Sequence, residues 1–156
     1  MVLLAAMTHL VGMAWAQSER TQVEASNLAD LQAYAEQSGL EITMEPGLYR
    51  LIDWLPLDSM TARRESKRFE FMNLSGSGNV FRLRGVTIEV DTALRSELRP
   101  PTHTSEFLVT GNGNVVEGLT ITDIGEGLSR GGSVVSVGGD GNTLRDITLH
   151  VRGSSP

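Results

Sequence analysis

The chain has no cysteine, so a disulfide framework, a thiolate metal site and a cysteine nucleophile are all excluded. Histidine is scarce as well. The three present, His9, His103 and His150, form no His-x-x-x-His or His-Glu-x-x-His spacing, which removes the usual zinc signatures. Aromatic residues make up only 5% of the sequence. Positive charge is in deficit. With 13 Lys and Arg against 19 Asp and Glu, the net charge of -6 opposes nucleic-acid binding, which calls for a basic face. The length of 156 residues suits one domain.

One apolar run is present, at the start. Residues 2–15 carry no charge and lead into Ala14-Trp15-Ala16. Small residues at the two positions that a signal peptidase reads predict cleavage after Ala16, although no Lys or Arg follows Met1. The run is shorter than the ~20 residues that span a bilayer. Residues 1–16 are therefore read as a signal peptide, with a secreted or periplasmic mature chain and no stable membrane anchor after cleavage.

Residues 17–75 form a first region. Ser26–Ser38 is predicted to be helical, with Asn27 as N-cap, Asp30 near the positive end of the helix and Gly39 as the stop. Glu41–Met44 and Leu48–Ile52 read as strands joined by the turn Glu45-Pro46-Gly47. Residues 53–68 lose periodicity and read as a loop. Its cations Arg63, Arg64, Lys67 and Arg68 are candidates for contacting an acidic polysaccharide, but a solvated loop, with Glu65 and Glu70 nearby, is the simpler explanation.

The composition changes at residue 76. Of the 17 glycines, 14 lie beyond residue 75, and they are ordered. Gly76-Ser77-Gly78-Asn79, Gly111-Asn112-Gly113-Asn114 and Gly139-Asp140-Gly141-Asn142 share one pattern. Each follows a short apolar strand (69–74, 107–110 and 134–137). Each precedes an apolar-Thr-apolar triplet: Val86-Thr87-Ile88, Leu119-Thr120-Ile121 and Ile147-Thr148-Leu149. A strand–turn–strand unit recurring every 28 or 35 residues predicts a solenoid, because no unit buries its apolar face without its neighbours. Glycine supplies positive φ at the corners. Asn79, Asn114 and Asn142, stacked at the strand spacing of ~4.8 Å, are expected to form a structural ladder. Alternation sends Val86, Ile88, Val90, Ile147, Leu149 and Val151 inward, and Thr87, Glu89, Asp91, Thr148, His150 and Arg152 outward. The connections 92–105 and 124–132 read as insertions on one face.

The capping helix, the strand around Glu45-Pro46-Gly47-Leu48-Tyr49 and the Gly-x-Gly-Asn corners resemble the N-terminal part of a right-handed parallel β-helix of the pectate-lyase-like superfamily. The resemblance covers about residues 26–152. It implies an all-β solenoid with an N-terminal capping helix, its coils running through residues 76–156. It also implies the N-terminal portion of a longer protein, since Gly153-Ser154-Ser155-Pro156 is no recognisable cap. Lyases of this superfamily use carboxylate-held calcium and a basic residue, and its hydrolases use clustered Asp. Neither set is intact in this sequence, so calcium rests on the resemblance alone. No other cofactor or metal site is identifiable, and the catalytic residues are unknown.

The outward column Glu89, Thr122 and His150, with Asp91 and Arg152 at its flank, is the candidate substrate-binding set. Glu89, His150 and Arg152 are the residues singled out. Trp54 and Tyr49 could stack on sugar rings, or seal the end of the core. Gly138–Leu144 lacks the ligand aspartate of a calcium nonapeptide, because Thr143 stands in its place. Two functions follow from these readings. The first is a polysaccharide lyase or glycosidase whose catalytic residues lie outside this chain. The second is a non-catalytic extracellular glycan-binding or adhesin-like module. The partner in both is a polysaccharide, acidic or neutral.

Overall fold

Glycine corners cut the chain into short strands, and helices fill the gaps between some of them. A computed structural model describes residues 20–99, 104–126 and 132–151. The proposed signal peptide and Arg152 lie outside the described residues. Strand β1 (Thr21–Ala25) leads into α1 (Leu28–Ala35), followed by β2 (Leu40–Met44) and β3 (Gly47–Arg50). Helix α1 starts where expected. The Asn27 Oδ1 accepts the Asp30 N–H at 2.9 Å, and the Asp30 carboxylate accepts the Ser26 N–H at 3.2 Å in return. The helix is shorter than Ser26–Ser38 and buries Leu28, Leu31, Gln32 and Ala35.

Two readings of this region need correction. The strand expected to run to Ile52 ends at Arg50, and Leu51–Trp54 forms the short helix α2, with Leu51 fully buried. The supposed loop 53–68 contains α3 (Ser59–Glu65). Its core contact is Met60, at 0% exposure, while Arg63 and Arg64 reach backbone carbonyls of other segments. Tertiary anchoring of this kind leaves no periodic trace in seven residues.

Beyond residue 71 the chain makes three similar passes. The first is β4 (Met72–Leu74), β5 (Val80–Arg82) and β6 (Val86–Asp91). After α4 (Thr92–Leu98) comes the second: β7 (Thr104–Val109), β8 (Val115–Glu117) and β9 (Thr120–Ile124). The third is β10 (Gly132–Val137), β11 (Thr143–Arg145) and β12 (Thr148–His150). Each pass has three strands where the sequence pattern indicated two. The extra division occurs at Gly85, Gly118 and Asp146, all at positive φ (81°, 82° and 54°), which turn the chain before the final strand. Equivalent strands pair in parallel and build three sheets, in the orders β1-β2-β5-β8-β11, β10-β7-β4 and β12-β9-β6-β3. The molecule is thus predominantly β, with parallel sheets and few helices. Ile42, Phe81, Val86, Ile88, Met72, Phe107 and Ile121 join in one buried apolar cluster. No helix among the described residues is long and apolar enough to cross a membrane.

The two glycines of each corner serve different ends. The second of each, Gly78, Gly113 and Gly141, has positive φ. The first lies against the backbone of the preceding pass: a Cβ on Gly111 would sit 1.8 Å from the Gly76 carbonyl oxygen. The asparagine that follows ties the passes together. Asn114 accepts the Asn79 N–H at 2.9 Å through Oδ1 and donates through Nδ2 to the Gly76 carbonyl at 2.8 Å. Asn79 bonds Leu40 N–H and the Gln37 carbonyl in the same manner, and Asn142 bonds Asn114 N–H and the Gly111 carbonyl. These amides meet backbone groups of the adjacent pass. Asn112 also accepts a neighbouring N–H, that of Asp140 at 2.8 Å, but it is exposed. Water can replace that bond, whereas Asn114 is fully buried. Asn114→Ala is accordingly expected to destabilise the fold by about 1–2 kcal/mol more than Asn112→Ala, measured by chemical denaturation. Equal losses would remove the buried ladder from the account.

Alternation holds along β6, where Val86, Ile88 and Val90 are fully buried. It weakens at β12, the last strand of its sheet: Leu149, and Val151 just beyond the strand, are exposed (43% and 55%).

Candidate functional site

The outer face of the β12-β9-β6-β3 sheet carries two polar columns. Parallel register sets Leu48, Thr87, Thr120 and Thr148 side by side. Two residues further along, Arg50, Glu89, Thr122 and His150 are aligned in the same way. Thr122 therefore sits between Glu89 and His150, which are two strand spacings apart, ~10 Å. Glu89 is not free. Its Oε2 is 3.2 Å from Arg50 Nε, with the carboxylate largely covered (18% exposed) and the guanidinium largely open (59%). Arg50 was not evident as a site residue, because only the pairing of strands 39 residues apart places it beside Glu89. Asp91 has a structural task instead, capping α4 by accepting the Ala93 N–H at 2.8 Å.

At its β3 edge this face runs into a cleft of about 290 Å³ between α1, β3 and α2. Arg50 belongs to both. Tyr49, Trp54, Leu48, Asp53 and Asn27 also line the cleft. Tyr49 and Trp54 are partly buried and pack against the core, so they seal the end of the core while one side of each remains open. The Tyr49 hydroxyl donates to the Glu45 carbonyl at 2.9 Å, which fixes the ring.

The cations singled out for an acidic polysaccharide are mostly engaged elsewhere. Arg63 donates to the carbonyls of Glu70 and Phe71, and burial, followed by the charge of Arg68, lowers its pKa. Arg64 donates to the Glu97 carbonyl at 3.0 Å, and Arg68 pairs with Glu70 at 3.4 Å. On the neighbouring five-stranded sheet, Arg82 bridges Glu41 at 2.6 Å and Glu117 at 3.0 Å. Arg145 and Arg84 also reach Glu117, at 2.9 and 3.3 Å, and the hydrogen bond from Arg145 leads in holding its pKa down. These exposed pairs add little stability individually, but they neutralise the surface.

A buried charged set went unread in the sequence. Arg95 on α4, Glu106 on β7 and Asp123 on β9 are 6%, 2% and 5% exposed, and the Arg95 guanidinium lies against the Glu106 carboxyl. Burial pushes the Glu106 pKa up to about 8; Arg95 opposes the shift, and Asp123 adds to it. One guanidinium facing two carboxyls is neutral when the carboxyls retain one proton between them. The phase of β9 held a signal: Ile121 is inward, so Asp123, two residues on, is inward too. At these exposures no dissolved ligand reaches the set, and its role is to hold α4 against the sheets.

Among the described residues no group of three or more His, Asp or Glu is placed to hold a metal ion. The carboxylates best placed to recruit calcium have other partners: Glu89 has Arg50, Asp91 the start of α4, and Glu117 three arginines. The calcium suggested by the family resemblance does not fit these residues. No protein-family model matches the sequence, and no curated protein matches it at a significant level.

Proposed function

We propose that the chain is an exported right-handed parallel β-helix of the pectate-lyase-like kind that binds a polysaccharide along the outer face of its four-stranded sheet. The observation that carries this reading is the pair of in-register polar columns, Thr87-Thr120-Thr148 and Glu89-Thr122-His150. A row of hydroxyls repeated at ~4.8 Å offers donors and acceptors along a line, which suits an extended chain of sugar hydroxyls. The strong general preference for right-handed crossovers between parallel strands supports the right-handed sense proposed. The apolar segment ending in Ala14-Trp15-Ala16 supports export.

Binding is favoured over catalysis because Glu89, the one carboxylate in the two columns, is engaged by Arg50 in the manner of an orienting group. A neutral polysaccharide is favoured over an acidic one because the arginines on the molecule are largely neutralised by carboxylates or turned to backbone carbonyls. The test is incubation of the full chain with neutral β-glucan, pectin, alginate and a glycosaminoglycan, following retention, reducing ends and ultraviolet absorbance of unsaturated uronates. Retention on the neutral polymer without product is expected. Thr122→Lys, an exchange on the outer face, should weaken retention about tenfold or more. Release of unsaturated uronates or of new reducing ends would establish the lyase or glycosidase reading in its place.

A further inference from the structure

The cleft at the β3 edge of the polar face has a different chemistry from the columns. Those columns present hydroxyls and charges on a flat sheet, whereas the cleft sets two aromatic rings beside two charged groups. Its volume, about 290 Å³, is at the small end for ligand pockets and matches one sugar ring better than a chain of them. Tyr49 and Trp54 are held by the core on one side and line the cleft on the other. A partly buried ring of fixed orientation is a platform for the apolar face of a pyranose and loses little rotamer freedom on binding.

The charges decide which sugar. Arg50 is already countered by Glu89, and Asp53 is exposed and makes no ion pair among the described residues. With the Arg50 charge already balanced by Glu89 outside the cleft, Asp53 is the uncompensated charge in the lining, and a uronate or sulfate would be repelled by it. A carboxylate such as Asp53 accepts hydrogen bonds from two adjacent hydroxyls, which every neutral pyranose carries. Asn27 contributes shape only, since its amide is spent on Asp30.

We infer that this cleft is a subsite for a single ring of a neutral pyranoside, with Trp54 and Tyr49 as the stacking platform and Asp53 as the hydroxyl acceptor. The inference rests on the polysaccharide reading above and deepens it, since Arg50 joins the cleft to the Glu89 column. A bound polymer would enter the cleft with one residue and lie across β6 and β9 with those that follow.

The experiment is a titration of the ¹⁵N-labelled full chain with cellobiose, maltose, lactose and digalacturonate. It follows the Trp54 indole N–H, assigned by its loss in Trp54→Phe. At least one neutral disaccharide should shift that resonance saturably in the millimolar range, with digalacturonate binding about tenfold more weakly or not at all. Asp53→Asn should weaken the neutral probe by about tenfold. Because Asp53 is exposed, that variant should keep the amide spectrum of the folded protein. Digalacturonate binding as tightly as the neutral probes would overturn the inference, as would an Asp53→Asn variant of unchanged affinity. Retention on β-glucan with no Trp54 shift from any probe would overturn the subsite and leave the polar face standing. Absence of binding by every disaccharide and every polymer would remove both.

Discussion

Gly111→Ala is expected to destabilise the protein by more than about 4 kcal/mol, enough to unfold it under ordinary conditions. The added methyl would lie 1.8 Å from the Gly76 carbonyl oxygen and 2.9 Å from Asn114 Nδ2. Both are fixed, because Asn114 Nδ2 donates to that carbonyl, and the Gly111 carbonyl is in turn the acceptor for Asn142. The passes would have to separate at the corner, breaking the buried bonds that join them. Gly113→Ala makes the informative comparison. A Cβ there meets nothing within 4 Å, so its penalty is confined to the left-handed backbone at φ +64°, about 1–2 kcal/mol. Urea unfolding of the two variants should separate them by several kcal/mol, or yield no folded Gly111→Ala protein at all. A Gly111→Ala variant as stable as Gly113→Ala would mean that the corners do not stack closely.

Raising the pH should weaken the fold through Glu106. In the unfolded chain this carboxyl titrates near 4.5; in the fold burial raises it to about 8. The folded state therefore holds a proton that the unfolded state has released between those values. Stability is fully present below the lower value and declines as the pH rises to about 8, by a total on the order of 3–5 kcal/mol. Glu106→Gln retains a neutral side chain able both to donate and to accept, and should abolish most of that slope. The variant is expected to match the native protein near pH 5 and exceed it above pH 8. Denaturation midpoints across that range measure both effects. A native protein whose stability rises from pH 5 to 8, or a Gln variant with the same slope, would show that Glu106 is ionised in the fold.

The corner motif was legible because each of its residues answers a local demand. One glycine admits close approach, the next admits positive φ, and the asparagine caps what both leave open. The second turn of each pass was not legible, because one residue marks it and Asp146 replaces glycine in the third pass. Helix α3 escaped for a related reason: Met60, Arg63 and Arg64 make contacts that only the folded chain brings together. At the site, the Thr87-Thr120-Thr148 and Glu89-Thr122-His150 columns followed from period-two alternation once the units were aligned. Arg50 needed the register of β3 against β6, which no repeat of the motif specifies. Arg95 lies within the 92–105 insertion and Glu106 just after it, where sequence spacing places no constraint on contact.

The central claim is that a polysaccharide lies along the Thr87-Thr120-Thr148 and Glu89-Thr122-His150 columns. Its most direct test is an amide chemical-shift map of the full chain with and without soluble neutral β-glucan. The account predicts that the perturbed amides concentrate at residues 47–50, 86–91, 120–124 and 148–150, across β3, β6, β9 and β12. Shifts confined to the opposite strands at residues 80–82 and 115–117, or no shifts at saturating polymer, would contradict it.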